Sequence, residues 1–144
     1  MPDSSAITKT EYEVLADFRY TLRQFMSFSE NAAKERGITP QQHQALLAIK
    51  GFPGREQITI SELSERLQIK HHSTVGLVNR LEAEKLITRS SAKDDHRKVF
   101  IYLTTRGNSI LEKLSDIHRE ELKRLNPQLR LLLKRIEKLS EGGK

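Results

Sequence analysis

The sequence predicts a mainly α-helical fold with one small β-hairpin. Three observations carry that prediction. Apolar residues recur at three- and four-residue steps through most of the 144 residues. Two Thr-led capping patterns and several Gly and Pro breaks cut the chain into separate helices. Between residues 87 and 103 the period changes, and β-branched and aromatic residues flank a polar stretch.

From Glu11 to Glu35, Leu15, Phe18, Leu22, Phe25, Met26 and Phe28 repeat as one face of a long helix requires, and Gly37 stops it. Thr39-Pro40-Gln41-Gln42 opens the next helix: Thr at N-cap, Pro at N1 where no donor is needed, and Gln at N3 to close a capping box. That helix runs to about Lys50, where Gly51-Phe52-Pro53-Gly54 breaks it. A short β-like piece, Gln57-Ile58-Thr59, precedes a second capping box, Thr59 to Glu62, and a short helix through Leu67 with Ile60, Leu63 and Leu67 on one face. The connection Gln68-Ile69-Lys70 leads into a helix from His71 or His72 to Lys85, in which spacing turns Val75, Val78, Leu81 and Leu86 inward.

Ile87-Thr88-Arg89 and Lys98 to Leu103 read as two strands around the polar loop Ser90 to Asp95. Thr104 caps a final helical region carrying Ile110, Leu111, Leu114, Ile117, Leu122 and Leu125. Pro127 interrupts it before Leu129, Leu132, Leu133, Ile136 and Leu139, so the C-terminus is a helix pair or one kinked helix. We expect a single domain over 1–144: helices 11–36 and 105–140 flank a central region, 39–104.

Composition narrows the function. Hydrophobic residues are 36% and charged residues 31% of the chain, lean for a lone globule, which points to apolar surface buried against a second copy. The formal net charge of +6 favours a polyanionic partner, nucleic acid or anionic lipid. No apolar run is long enough to span a membrane and the N-terminal residues are not signal-like, so a cytoplasmic protein without membrane attachment is expected. The chain has no cysteine, which excludes disulfides, thiol redox sensing and Cys-ligated metals. The five histidines show no metal-ligand spacing, and neither a phosphate loop nor a nucleophile motif is present. Neither metal, cofactor nor enzymatic activity is expected.

Two helices joined by about three residues, the second bearing small polar and basic side chains and followed by a hairpin, are a winged helix-turn-helix arrangement. The second helix suits a major groove, where base edges are read by groups that donate and accept in fixed geometry. His72, Ser73, Thr74, Asn79 and Arg80 are the readers, with Lys70, His71 and Gly76 beside them. Asn suits adenine and Arg guanine, while Ser or Thr suits base or phosphate. In the hairpin, Arg89, Ser90, Lys93, Asp95, Arg97 and Lys98 complete the candidate DNA-binding set, and a tip cation suits a minor groove. The bland alternative for Asn79 and Arg80 is a solvated helix face. That is also the reading preferred for the basic run Arg119 to Lys138, seven cations against three glutamates.

Leu86-Ile87-Thr88-Arg89, Asp95-His96-Arg97 and Ile101-Tyr102-Leu103-Thr104-Thr105-Arg106-Gly107 together resemble the MarR family of regulators. Leu63-Ser64-Glu65-Arg66-Leu67, Ser73-Thr74-Val75 and Arg80-Leu81-Glu82 are similar to its two central helices, so the resemblance covers most of the chain. One departure is Lys85, where the family usually has Gly; a non-Gly residue at a left-handed cap costs about 1 kcal/mol. The resemblance implies a homodimer through the terminal helices that binds double-stranded, pseudo-palindromic operators. It implies a repressor, released by a small, often phenolic or aromatic, ligand held between dimerisation and DNA-binding regions. Phe18, Phe25, Phe28 and His43 are possible cavity residues, though aromatic residues at helical spacing are more often core. By resemblance Asp95 pairs with Arg97 or Arg89 and fixes the wing. The competing reading, a helical interaction adaptor, has no need of the Thr88 to Leu103 hairpin.

Overall fold

The structure is a computed structural model that describes residues 6–91 and 97–141. Its elements are α1 (Lys9–Glu35), α2 (Pro40–Lys50), α3 (Ile60–Leu67), α4 (His71–Ala83), β1 (Ile87–Ser91), β2 (Val99–Leu103) and α5 (Thr105–Glu141). The chain divides into two compact units, Asn31–Asp116 and a second made of Met1–Glu30 with Ile117–Lys144.

The caps read from the sequence are present in full. Thr39 Oγ1 accepts from the Gln42 N–H at 3.0 Å while Gln42 Oε1 accepts from the Thr39 N–H at 2.9 Å. Thr59 and Glu62 do the same at 3.2 and 2.9 Å. Each pair satisfies two donors that a helix start leaves without partners. A third box, Thr8 with Glu11 at 3.0 and 3.1 Å, starts α1 at Lys9, two residues before the expected start.

Three helices end in the same way, with paired return bonds and one left-handed residue. After α1, the Gly37 N–H reaches Lys34 O and the Ile38 N–H reaches Ala33 O, with φ +79° at Gly37. After α3 the pair is Gln68 to Glu65 and Ile69 to Ser64; after α4 it is Lys85 to Glu82 and Leu86 to Leu81. These are Schellman ends, which favour glycine, yet Gln68 (φ 56°) and Lys85 (φ 61°) occupy the left-handed position in two of them.

In the unit Asn31–Asp116, α2, α3, α4 and the hairpin pack on one another. Ala45, Leu46 and Ile49 from α2, Leu63 from α3, and Leu77, Val78 and Leu81 from α4 are buried together with Leu86, Ile87, Ile101 and Leu103. β1 and β2 are antiparallel, with Ile87 opposite Leu103 and Arg89 opposite Ile101. The expected β-like piece is a single bridge in which Ile58 exchanges two backbone hydrogen bonds with Ile101, at 3.1 and 2.8 Å. The middle of β2 is thereby bound to the chain leading into α3.

The start of α5 closes on the end of α4. Thr104 Oγ1 accepts from the Gly107 N–H at 3.1 Å and donates to Lys85 O at 2.6 Å, and the Thr104 N–H reaches Leu86 O. A Cβ at Gly107 would lie 2.1 Å from Leu86 O, so only glycine admits this approach. α5 then runs unbroken through Pro127, which settles the choice between a helix pair and one helix in favour of one.

In the unit formed by Met1–Glu30 and Ile117–Lys144, Val14, Thr21, Leu125 and Leu132 are buried. Gln128 Nε2 donates to Thr21 Oγ1 at 3.1 Å, and Arg135 pairs with Asp17. The stripe that the α1 period picks out divides in two. Phe25 and Phe28 are half-buried, but Leu15 (52% exposed), Phe18, Leu22 (48%) and Met26 face outward, as do Leu122, Leu131 and Leu133 on α5.

Lys85→Gly should raise stability by up to about 1 kcal/mol by removing left-handed strain. Gly107→Ala should lower it by about 1–3 kcal/mol through overpacking against Leu86. Urea midpoints at fixed protein concentration read both; equal midpoints for wild type and the Gly107 variant would refute the close approach.

Candidate nucleic-acid interface

α3 is tied to the chain that leads into it. Beyond its capping box, Glu62 pairs with Arg55, whose guanidinium lies 4.4 Å over the Phe52 ring; Arg66 lies 4.9 Å from the same ring. Burial pushes the Glu62 carboxyl up, but the Thr59 N–H, Arg55 and the Thr59 hydroxyl outweigh it and hold the carboxyl below its ordinary 4.5. The corner between α2 and α3 is thus tied by charge and by cation–π contact.

α4 is fixed to α3 by Thr74. Its hydroxyl accepts from Ser64 Oγ at 2.7 Å and donates to Lys70 O at 3.1 Å, and the side chain is fully buried. Thr74, expected among the base readers, therefore faces the core. The inward row is Thr74, Leu77, Val78 and Leu81, with Leu77 buried and Val75 only half-buried, which corrects the expected row. A polar residue occupies the inner face because both hydrogen-bonding roles of its hydroxyl are met there.

The outward side of α4 carries the other candidates. Lys70 is its N-cap and makes no side-chain cap bond, and its first turn holds no acid. The free N–H groups and the helix dipole there favour an anion. His71, His72 and Ser73 are exposed beside that end, and Asn79 and Arg80 are exposed two turns on. Gly76 lies between them. A Cβ at Gly76 would meet only Arg80 Nη1, at 3.6 Å, so its side has room for a methyl group in the protein alone.

From the hairpin, Arg89 reaches back to α4. Its Nε donates to Glu82 Oε1 at 3.2 Å and its Nη2 donates to Asn79 Oδ1. The structure pairs Arg89 with Glu82; Lys93 and Asp95, the carboxylate expected to pair with Arg97 or Arg89, lie outside the described residues. The sequence places Glu82 one turn after Asn79 on the same helix, but not beside Arg89 of the strand. Ser90, Arg97 and Lys98 are exposed at the hairpin's outer end. The structure brings Asn79 and Arg89 together, and separates Thr74 from the rest.

The remaining candidates lie on α1, α2 and α5. Phe25 and Phe28 set their ring edges against His118 at 5.9 and 5.2 Å, and His118 Nε2 is 2.9 Å from Ser29 Oγ. His43 is buried on α2, and Phe18 is exposed on α1. In the basic run, Lys123 pairs with Glu120, Arg124 with Glu121 and Arg135 with Asp17. The Arg124 guanidinium, hydrogen-bonded to Glu121, holds that carboxyl below its ordinary value. Among the described residues there is no His, Cys, Asp and Glu cluster able to hold a metal, and no helix long and apolar enough to cross a membrane.

A family model described as "MarR family" matches residues 36–98. The organic hydroperoxide resistance transcriptional regulator of Bacillus subtilis is 31% identical over 109 residues, covering 69% of this chain and 72% of that protein. The HTH-type transcriptional regulator SarZ of Staphylococcus epidermidis is 31% identical over 93 residues, covering 65% of this chain and 61% of its own length. Among solved structures, AbsC, a MarR family transcriptional regulator from Streptomyces coelicolor, superposes with a TM-score of 0.74 at 20% identity over 94% of this chain and 95% of that one. A MepR variant of Staphylococcus aureus bound to an oligodeoxyribonucleotide gives 0.63 at 24% identity over 92% and 98%. At those identities the likeness to solved structures is one of fold.

Thr74→Val should lower stability by about 1 kcal/mol, since the Ser64 hydroxyl loses its acceptor, without altering any base preference; a changed preference would return Thr74 to the readers. The lowered Glu62 carboxyl stabilises the folded state above its ordinary pKa, and that contribution is lost as pH falls through the folded value. Glu62→Gln should therefore show a shallower loss of stability on acidification below pH 4.5 than the wild type, read from urea midpoints across pH; parallel curves would refute it.

Proposed function

The chain belongs to the MarR family of transcriptional regulators, DNA-binding proteins of winged-helix fold, and from that premise we propose a repressor that binds a pseudo-palindromic operator as a homodimer and is released by a small ligand. One observation carries the DNA-binding site: α4 buries Thr74, Leu77, Val78 and Leu81 while holding out His71, His72, Ser73, Asn79 and Arg80. A helix of this kind enters the major groove, and Lys70, Arg97 and Lys98 stand at its flanks toward phosphate. Lys93 and Asp95, outside the described residues, remain part of the proposed wing contact. No catalysis is proposed for this surface, whose work is binding.

The homodimer is supported by the outward apolar row of Leu15, Phe18, Leu22 and Met26 on α1, together with Leu122, Leu131 and Leu133 on α5. Covering a Leu or Phe side chain is worth about 1.5–3 kcal/mol, and a second copy supplies the matching face. Ligand release and cytoplasmic location are part of the same family reading. The Bacillus subtilis relative is named for organic hydroperoxide resistance. This chain has no cysteine, so a thiol switch is not part of the reading and a non-covalent small molecule is.

Selection of bound fragments from random duplex DNA should return a two-fold symmetric site. Arg97→Ala should weaken binding to it across all sequences and reduce the slope of log K against log salt by about 1; an unchanged slope removes Arg97 from the interface. Leu22→Glu should convert the dimer to monomer in sedimentation and abolish operator binding at the same concentration. A wild-type protein that is monomeric at micromolar concentration overturns the dimer reading.

A further inference from the structure

Arg89 is mostly covered: its side chain is 30% exposed, and its guanidinium is held on α4 by two acceptors one helical turn apart, Glu82 and Asn79. A guanidinium carries only donors, so the Asn79 atom facing it is the carbonyl oxygen, and the amide nitrogen is left for the open side. Bidentate pairing with adenine needs both amide atoms on one edge, the oxygen accepting from N6 and the nitrogen donating to N7. With the oxygen turned to Arg89, that edge is not presented.

Resting on the DNA-binding reading above, we propose that Arg89 is a positioning residue that fixes Asn79 as a hydrogen-bond donor, so that Asn79 reads guanine rather than adenine. In the major groove guanine offers two acceptors, N7 and O6, while adenine and thymine offer one each and cytosine presents a donor. A donor-only Asn79 favours guanine and rejects cytosine. The wing strand thus sets base choice on the recognition helix through Asn79, without its arginine reaching a base.

The test is selection from a randomised duplex library with the full-length wild type, Asn79→Ala, Arg89→Ala and the double variant. Asn79→Ala should flatten one position in each half-site, which identifies where Asn79 reads. At that position the wild type should enrich guanine and exclude cytosine. Arg89→Ala should shift the adenine-to-guanine ratio there by about tenfold toward adenine, within what one bidentate contact discriminates. The double variant should show no such shift, since Arg89 acts through Asn79. Arg89→Lys, which keeps a cation for Glu82 without the planar fork, should give the same shift and serves if the alanine variant folds poorly.

Adenine already enriched by the wild type at that position overturns the proposal. So does a uniform loss of affinity in both Arg89 variants with the preference unmoved, or a shift that persists when Asn79 is alanine. Selection that succeeds with no position responding to Asn79→Ala overturns this inference alone. A wild type that selects no sequence overturns the DNA-binding reading and this inference with it.

Discussion

The close approach of Gly107 to the backbone of Leu86 is the contact on which the geometry of the interface depends. Leu86 is the residue at which α4 has ended and β1 is about to begin, and its carbonyl accepts from the Thr104 N–H as α5 starts. Thr104 binds α5's first turn to Lys85 O with the same hydroxyl that caps the helix. α4, the hairpin and α5 are therefore anchored within a few residues of one another. A larger residue than glycine at 107 would push all three apart. Ile58, bridging to Ile101, adds the chain before α3 to the same assembly.

Around that anchor the polar contacts divide into those that build and those that present. Thr74, Ser64 and Gln42 build: Gln42 completes the α2 cap with one amide atom and donates to Glu84 at 2.7 Å with the other, tying α2 to the end of α4. Each is a short side chain whose hydrogen-bonding capacity is used inside the fold. His71, His72, Ser73 and Arg80 present, standing exposed on a helix whose opposite side is apolar. Asn79 belongs to both groups, exposed yet bound to Arg89.

Much of this was legible in the sequence because it is written locally. The Thr39 and Thr59 boxes and the helix limits at Lys50 and Leu67 depend on residues within four or five positions of each other, and the hairpin joins two strands that are adjacent in sequence. The family pattern around Leu86 and Gly107 supplied the wing, and the left-handed geometry of Lys85 agrees with the glycine usual there. Contacts between distant segments were not legible. Its polarity points Thr74 outward, and only the position of Ser64, ten residues earlier, reverses that. The Glu82 partner of Arg89 depends on where a strand crosses a helix. The period of α1 does not separate its two apolar sides, because Phe25 and Met26 are neighbours in sequence, although one is half-buried and the other outward.

The outward row on α1 and α5 bears on recognition more than on stability. Under the proposed function a single α4 offers about five reading side chains, and a good contact discriminates by about 1–3 kcal/mol. At the lower end of that range, one such helix falls short of separating an operator from the roughly 10⁶–10⁹ competing sites of a genome. Two helices held in fixed relation add their discrimination, while phosphate contacts made by both copies raise affinity for any duplex. The proposed pairing through the terminal helices is on this argument what widens the margin of selectivity. It also accounts for a chain that leaves large leucines half in water on the helices farthest in sequence from the reading surface.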